Sequence, residues 1–249
     1  MSESPGRSAG PAGVPAEHSV PRPRVAIIDG PVQSWPGLMR VWCPGDPPGP
    51  PAGGARAPSG SPAAAHAQAL ADALLEAVDG AAVELLNPVI FADGLRTGLA
   101  AVIAAIDDLA AMRPGPALVL CAFGLPRRDD RLDRSLSRLA AQGRLIVASA
   151  PARGAVVWPA AHPAVIAVQG DARCRCGDWS WLDLPHACFG ADPSPSRPGA
   201  PAGASIAAAR FAGLLLAALS RMPAPAAREW MRTQAAYVGR EHRDGRDSR

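Results

Sequence analysis

Apolar residues recur along this chain with two alternating periods. Short runs, Val25-Ala26-Ile27-Ile28 and then residues 82–86, 117–121, 145–149 and 164–168, apolar but for Glu84 and Ser149, have the length and near-continuous apolarity of strands buried on both faces of a parallel sheet. Helical spacing fills the intervals. Ser61 and Pro62 make a good N-cap and first-turn pair, predicting a helix that runs to about Val78 and stops at Asp79-Gly80. On it His66, Leu70, Leu74 and Val78 share one face. A second helix, Leu95 to about Met112, carries Leu99, Val102, Ile103, Ile106 and Leu109. A third, Arg131 to Gln142, turns Leu132, Leu136 and Leu139 inward and a charged face to solvent, with Gly143 as its cap. The small-residue turn Gly203-Ala204-Ser205 opens an apolar helix, Ile206 to about Leu219, and residues 224–237 predict a surface helix. Two places stay open. Residues 35–43 form either a strand or an exposed apolar segment, and the strand at 82–86 either stops there or continues through Val89, Ile90 and Phe91. Strands alternating with helices predict an α/β fold: a parallel β-sheet flanked by helices on both faces.

Composition sharpens this picture. The 249 residues suffice for one α/β domain with extra ends. Hydrophobic residues reach 48% but aromatics only 4%, so the core must be built from Ala, Leu, Val and Ile. Proline and glycine gather at residues 1–23, 44–62 and 193–201, which predicts a tail and two loops. The expected organisation is a disordered tail over 1–23, a folded domain over 24–222, and a C-terminal helix with a charged tail over 223–249. The net charge of +3 comes from scattered arginines with no aromatic interleaving, which argues against a nucleic-acid partner. No basic start leads into an apolar stretch, and the apolar runs are too short or too interrupted for a membrane span, so a cytoplasmic protein is expected. Five cysteines argue against a disulfide framework.

Three residues stand where chemistry collects. Asp29 follows the first apolar run, at the strand end where open parallel sheets bind ligands, although Asp-Gly-Pro also suits a simple turn. His66 lies one turn into a helix, on its apolar stripe, as a core histidine would. Ser205 opens the last apolar helix, either as its cap or as a nucleophile among free N–H donors at the positive end of the dipole.

The order Asp29, His66, Ser205 on an α/β scaffold resembles the subtilisin-like serine peptidases (subtilases) from Arg24 to about Leu219. The matching motifs are Ile28-Asp29-Gly30, His66-Ala67-Gln68, and Gly203-Ala204-Ser205 followed by Ala207, Ala208, Ala212 and Gly213. Residues 117–124 are similar to the family's strand before a substrate-flanking loop, and Trp158-Pro159-Ala160 through Val168 to its later Pro-Ala stretch. The resemblance implies the subtilisin-like three-layer sandwich and a serine endopeptidase acting through an acyl-enzyme. In it Ser205 is the nucleophile, His66 the general base and Asp29 the acid that orients the imidazole. It also implies a peptide or protein substrate such as a precursor peptide, a partner protein of a peptide-processing system, and no cofactor.

This chain departs from the family pattern in three places. His66 lacks the following Gly-Thr, Ala204 replaces a threonine, and the run Ser149-Ala150-Pro151-Ala152-Arg153-Gly154 lacks the asparagine that completes the family's oxyanion hole. The Ser205 N–H remains as one donor; Arg153 could reach in as a second, although an exposed loop arginine is the simpler expectation. Loss of a side-chain donor costs about 10²–10³ in rate. The alternative expectation is therefore a weak or inactive pseudopeptidase that binds peptides or serves as a scaffold. The segment before Asp29 is short and Pro-rich, so no folding pro-domain is expected in it, an expectation that would fit an intracellular enzyme or one that docks with a partner. Cys174, Cys176, His186 and Cys188 form a Cys/His cluster that could hold zinc but departs from common ligand spacing, so reduced loop thiols are expected and no metal is assigned. Cys43 and Cys121 are expected in the core.

Overall fold

The computed structural model describes residues 23–45 and 60–241. The apolar runs become neighbours in one sheet: β1 (Arg24–Ile28), β3 (Glu84–Pro88), β4 (Leu118–Cys121), β5 (Leu145–Ser149) and β6 (Ile166–Gly170). The open segment at 35–43 supplies the edge strand β2 (Met39–Trp42). A hairpin that the sequence reading missed, β7 (Trp179–Leu184) and β8 (Ala187–Ala191), extends the far side, and β9 (Tyr237–Val238) closes it. The order is β2-β3-β1-β4-β5-β6-β8-β7-β9, parallel throughout except where β7 runs against β8. Trp179, Ser180 and Trp181 alternate with period two, an irregularity at Asp183 (φ 51) shifts the register within β7, and Pro185 and His186 make the hairpin turn. That alternation was the available signal.

Alternate residues of each strand feed two cores. Val25, Ile27, Leu118, Leu120 and Val147 face α1 (Pro62–Leu75), α4 (Ala204–Leu219) and α5 (Ala224–Thr233). Ala26, Ile28, Val119, Cys121 and Ile146 face α2 (Leu99–Ala111) and α3 (Asp130–Ala141). The parallel sheet with helices on both faces is thus the expected three-layer sandwich. The inward set Leu132, Leu136 and Leu139 is fully buried, and Gly143 closes α3 with φ 77.

Several boundaries shift for local reasons. α1 ends at Leu75 rather than near Val78, because the Asp79 side chain accepts the Ala81 N–H and starts a short 3₁₀ turn over Gly80–Ala82. α2 begins at Leu99, not Leu95, since Gly98 occupies its N-cap. β3 starts at Glu84 and runs through Pro88, with Val89 bridged to Asp29. β6 starts only at Ile166, because Val165 closes a turn on the His162 carbonyl. α5 stops at Thr233, and Tyr237 joins β9. Cys121 is buried as expected, its thiol pushed up to about 12 by burial, but Cys43 is exposed, a correction caused by its place beyond the end of β2. Apart from Pro23, the expected tail over 1–23 lies outside the described residues, as do residues 46–59 of the second Pro/Gly cluster and the end of the charged tail. Among the described residues no helix is long and apolar enough to cross a membrane.

α4 is the central helix, and two contacts fix it against α1. A Cβ on Gly213 would lie 2.4 Å from the Leu74 carbonyl oxygen, so only glycine permits this approach. Arg210, 6% exposed, binds Glu76 at both carboxylate oxygens (2.6 and 3.0 Å) and donates to the Asp192 and Ser194 carbonyls. Gly213→Ala should lower stability by about 1–3 kcal/mol in urea titrations, despite alanine's better helix propensity. Arg210→Ala should cost about 3 kcal/mol, the lower end for a broken buried pair because the Glu76 side chain stays 25% exposed. In the same assay Arg232→Ala, at the exposed pair with Glu229, should leave the midpoint nearly unmoved.

Candidate active site

Asp29 directly follows β1, between β3 and β4, where the chain leaves the sheet centre in both directions. Parallel sheets offer a crevice at such a point. The Asp29 carbonyl accepts the N–H groups of Ile90 (2.9 Å) and Phe91 (3.4 Å), fixing the residue's backbone. Its side chain is fully buried; Oδ1 accepts the Gly30 N–H at 2.8 Å. A Cβ on Gly30 would meet the Ala63 carbonyl oxygen at 2.4 Å, so the turn presses directly on the first turn of α1.

α1 starts where the sequence indicates. Ser61 Oγ accepts the Ala64 N–H at 3.1 Å, and Pro62 occupies the first turn. This fixes the helix so that His66 Nδ1 lies 3.0 Å from Asp29 Oδ1. On its other side His66 Nε2 lies 3.2 Å from Ser205 Oγ. Ser205 does not cap α4: Gly203, with φ 107, is the N-cap, and no side chain caps that end. The serine sits in the first helical turn, whose N–H groups have no partner within the helix. All three predicted residues therefore meet, in the order acid, imidazole, alcohol.

A carboxylate oxygen accepting from Nδ1–H leaves the Nε2 lone pair towards Ser205. Burial disfavours the His66 cation, but the hydrogen bond that its Nδ1–H donates to Asp29 and the negative charge of that carboxylate outweigh burial, and the pKa is raised above the ordinary histidine value. Asp29 Oδ2 is buried with no hydrogen-bond partner among the described residues. The contacts on Oδ1 therefore carry the carboxylate.

Two residues that sequence reasoning passed over hold the acid's turn. Asn87, the chain's single asparagine, is fully buried on β3. Its Oδ1 accepts the Val32 N–H, and its Nδ2 donates to the Ile27 and Gly30 carbonyls. Gln68, two residues after His66, accepts the N–H groups of Gln33 (3.0 Å) and Ser34 (2.9 Å) and donates to Asp72. The lone asparagine in an otherwise apolar run, followed by proline, was the signal for the first; nothing in the sequence marked the second. With the Asn87 amide committed beneath the acid, no asparagine remains for an oxyanion. Arg153 is exposed, and β5 ends at Ser149, followed by Ala150, without a side-chain amide.

The cysteine cluster takes another form. Cys174 is buried, its thiol pushed up to about 12 chiefly by burial. Cys176 is exposed and donates to Glu76 at 3.3 Å, while His186 Nε2 faces Gln169 at 3.1 Å. Among the described residues no three His, Cys, Asp or Glu side chains are grouped to hold a metal ion.

Because the pKa of His66 is raised on folding, its pairing with Asp29 stabilises the fold fully below pH about 6.5, and that contribution fades as pH rises through the raised value. In an NMR titration Asp29→Asn should lower the His66 pKa. The stability lost in that variant should be largest at acidic pH and shrink above the raised value.

No family model matches the sequence, and no curated protein does. The fold does have solved counterparts. It is similar to the structure of prenylagaramide maturation protease PagA, with a TM-score of 0.57 and 18% sequence identity, over 81% of this chain and 76% of that one. The likeness establishes the shared α/β sandwich, the architecture expected of a subtilisin-like fold.

Proposed function

We propose that this chain is a serine endopeptidase of subtilisin type that processes a precursor peptide. The observation carrying this reading is the continuous relay Asp29–His66–Ser205, at 3.0 and 3.2 Å. The fold shared with a maturation protease supports the peptide-processing role. In the first step Ser205 Oγ bonds to the scissile carbonyl carbon as its proton passes to His66 Nε2. Asp29 stabilises the resulting imidazolium. His66 then returns the proton to the leaving amine as the C–N bond breaks, leaving an acyl-enzyme. Water, deprotonated by the same imidazole, releases the acid and regenerates the hydroxyl. Free N–H groups in the first turn of α4, the Ser205 N–H among them, face the developing oxyanion with the helix dipole behind them. Turnover should be slow, because the usual side-chain amide donor is missing.

That same gap favours a second reading, a pseudopeptidase that binds peptides without cutting them. An active-site label separates the two. A fluorophosphonate should modify Ser205, as read by intact mass and peptide mapping, and Ser205→Ala should abolish the adduct. His66→Ala should slow labelling by about 10³ or more. A folded wild-type chain that takes no label would support the pseudopeptidase instead.

A further inference from the structure

A cleft of about 500 Å³ opens beside His66. Phe91 and Phe123 meet edge to face in its wall, ring centroids 6.2 Å apart at 83°. Leu95 lines it as well and is 51% exposed, an open apolar surface next to the relay. Apart from His66, the only titratable liner among the described residues is Arg96. Its side chain is exposed, and its guanidinium makes no ion pair among the described residues. Asp93, the nearest carboxylate along the loop, does not line the cleft. These residues are free to line it because α2 starts at Leu99, leaving 95–97 outside the helix.

We propose that Arg96 is a specificity-determining residue: the cleft takes a peptide segment carrying an acidic side chain beside an apolar one. The apolar side chain covers Phe91, Leu95 and Phe123, and the carboxylate meets the guanidinium. Arginine suits this task because it stays charged at every working pH and presents a fork that matches a carboxylate. A protonated His66 would add charge of the same sign, and the Asp29 carboxylate behind it is fully buried and does not line the cleft. The inference rests on the peptide-processing reading of the same site but concerns recognition rather than cutting.

Binding and cutting are therefore measured separately. Short fluorescent peptides with a Phe–Leu pair and a Glu, Gln or Lys scanned along the remaining positions are titrated against the full-length Ser205→Ala chain by anisotropy. At one register the Glu peptide should bind about three- to fivefold tighter than its Gln counterpart, the range of an exposed ion pair, and the Lys peptide weaker still. The difference should shrink at high salt. Adding Arg96→Glu should invert the order, with an unchanged melting temperature to show intact folding. Equal affinity for the three peptides at every register, a preference that survives Arg96→Glu, or no binding of any peptide would overturn the proposal. Cleavage of the same peptides by the unmodified chain reads the peptidase alone. A chain that prefers acidic peptides yet never cuts them keeps this inference and loses the catalytic one.

Discussion

The buried carboxylate of Asp29 is the constraint around which the centre of the molecule is arranged. A carboxylate removed from water must find partners or lose its charge, and here only Oδ1 finds them: the Gly30 N–H and the imidazole of His66. The charge of the acid and the raised basicity of His66 are thus one interaction seen from two ends. Everything nearby keeps those groups in register. Ile90 and Phe91, just past β3, grip the Asp29 backbone, Asn87 ties its turn to the sheet, and Gln68 ties the following loop to α1.

The alcohol reaches the relay by a different route. Ser205 belongs to α4, which touches no part of the acid's turn directly in these hydrogen bonds and depends on its packing against α1 and the sheet. Gly213 and Arg210 fix that packing from below, one by letting two helices approach and the other by bridging them electrostatically. The site is therefore assembled from two substructures, β1 with α1 on one hand and α4 on the other, joined by the packing of α1 against α4 as well as by the contact between His66 and Ser205.

The layers were legible because their signals are strong and local. Leu145 to Ala148 is apolar without a break and with Ser149 becomes β5 residue for residue, and Leu132, Leu136 and Leu139 can face inward only on a helix. The three relay residues were legible through their order and their places at element boundaries, although each alone fitted a bland role. What stayed hidden depends on distant partners. Trp179 and Trp181 form a strand because β8 lies beside them, and the cysteines nearby drew attention to metal chemistry instead. The work of Gln68 is set by a loop 34 residues earlier in the chain. The first turn of α2 is lost to Gly98, and with it Leu95 and Arg96 pass from a helix into the cleft.

The turn at Gly30 has a broader consequence. Its α-carbon rests against the Ala63 carbonyl, three residues before His66, with no room for even a methyl group. The missing side chain acts as a spacer of minimum thickness between the acid-bearing strand and the imidazole-bearing helix. Any larger residue would wedge the two apart beside the contact between Asp29 and His66, so the gauge of that pairing is set by an atom that is not there.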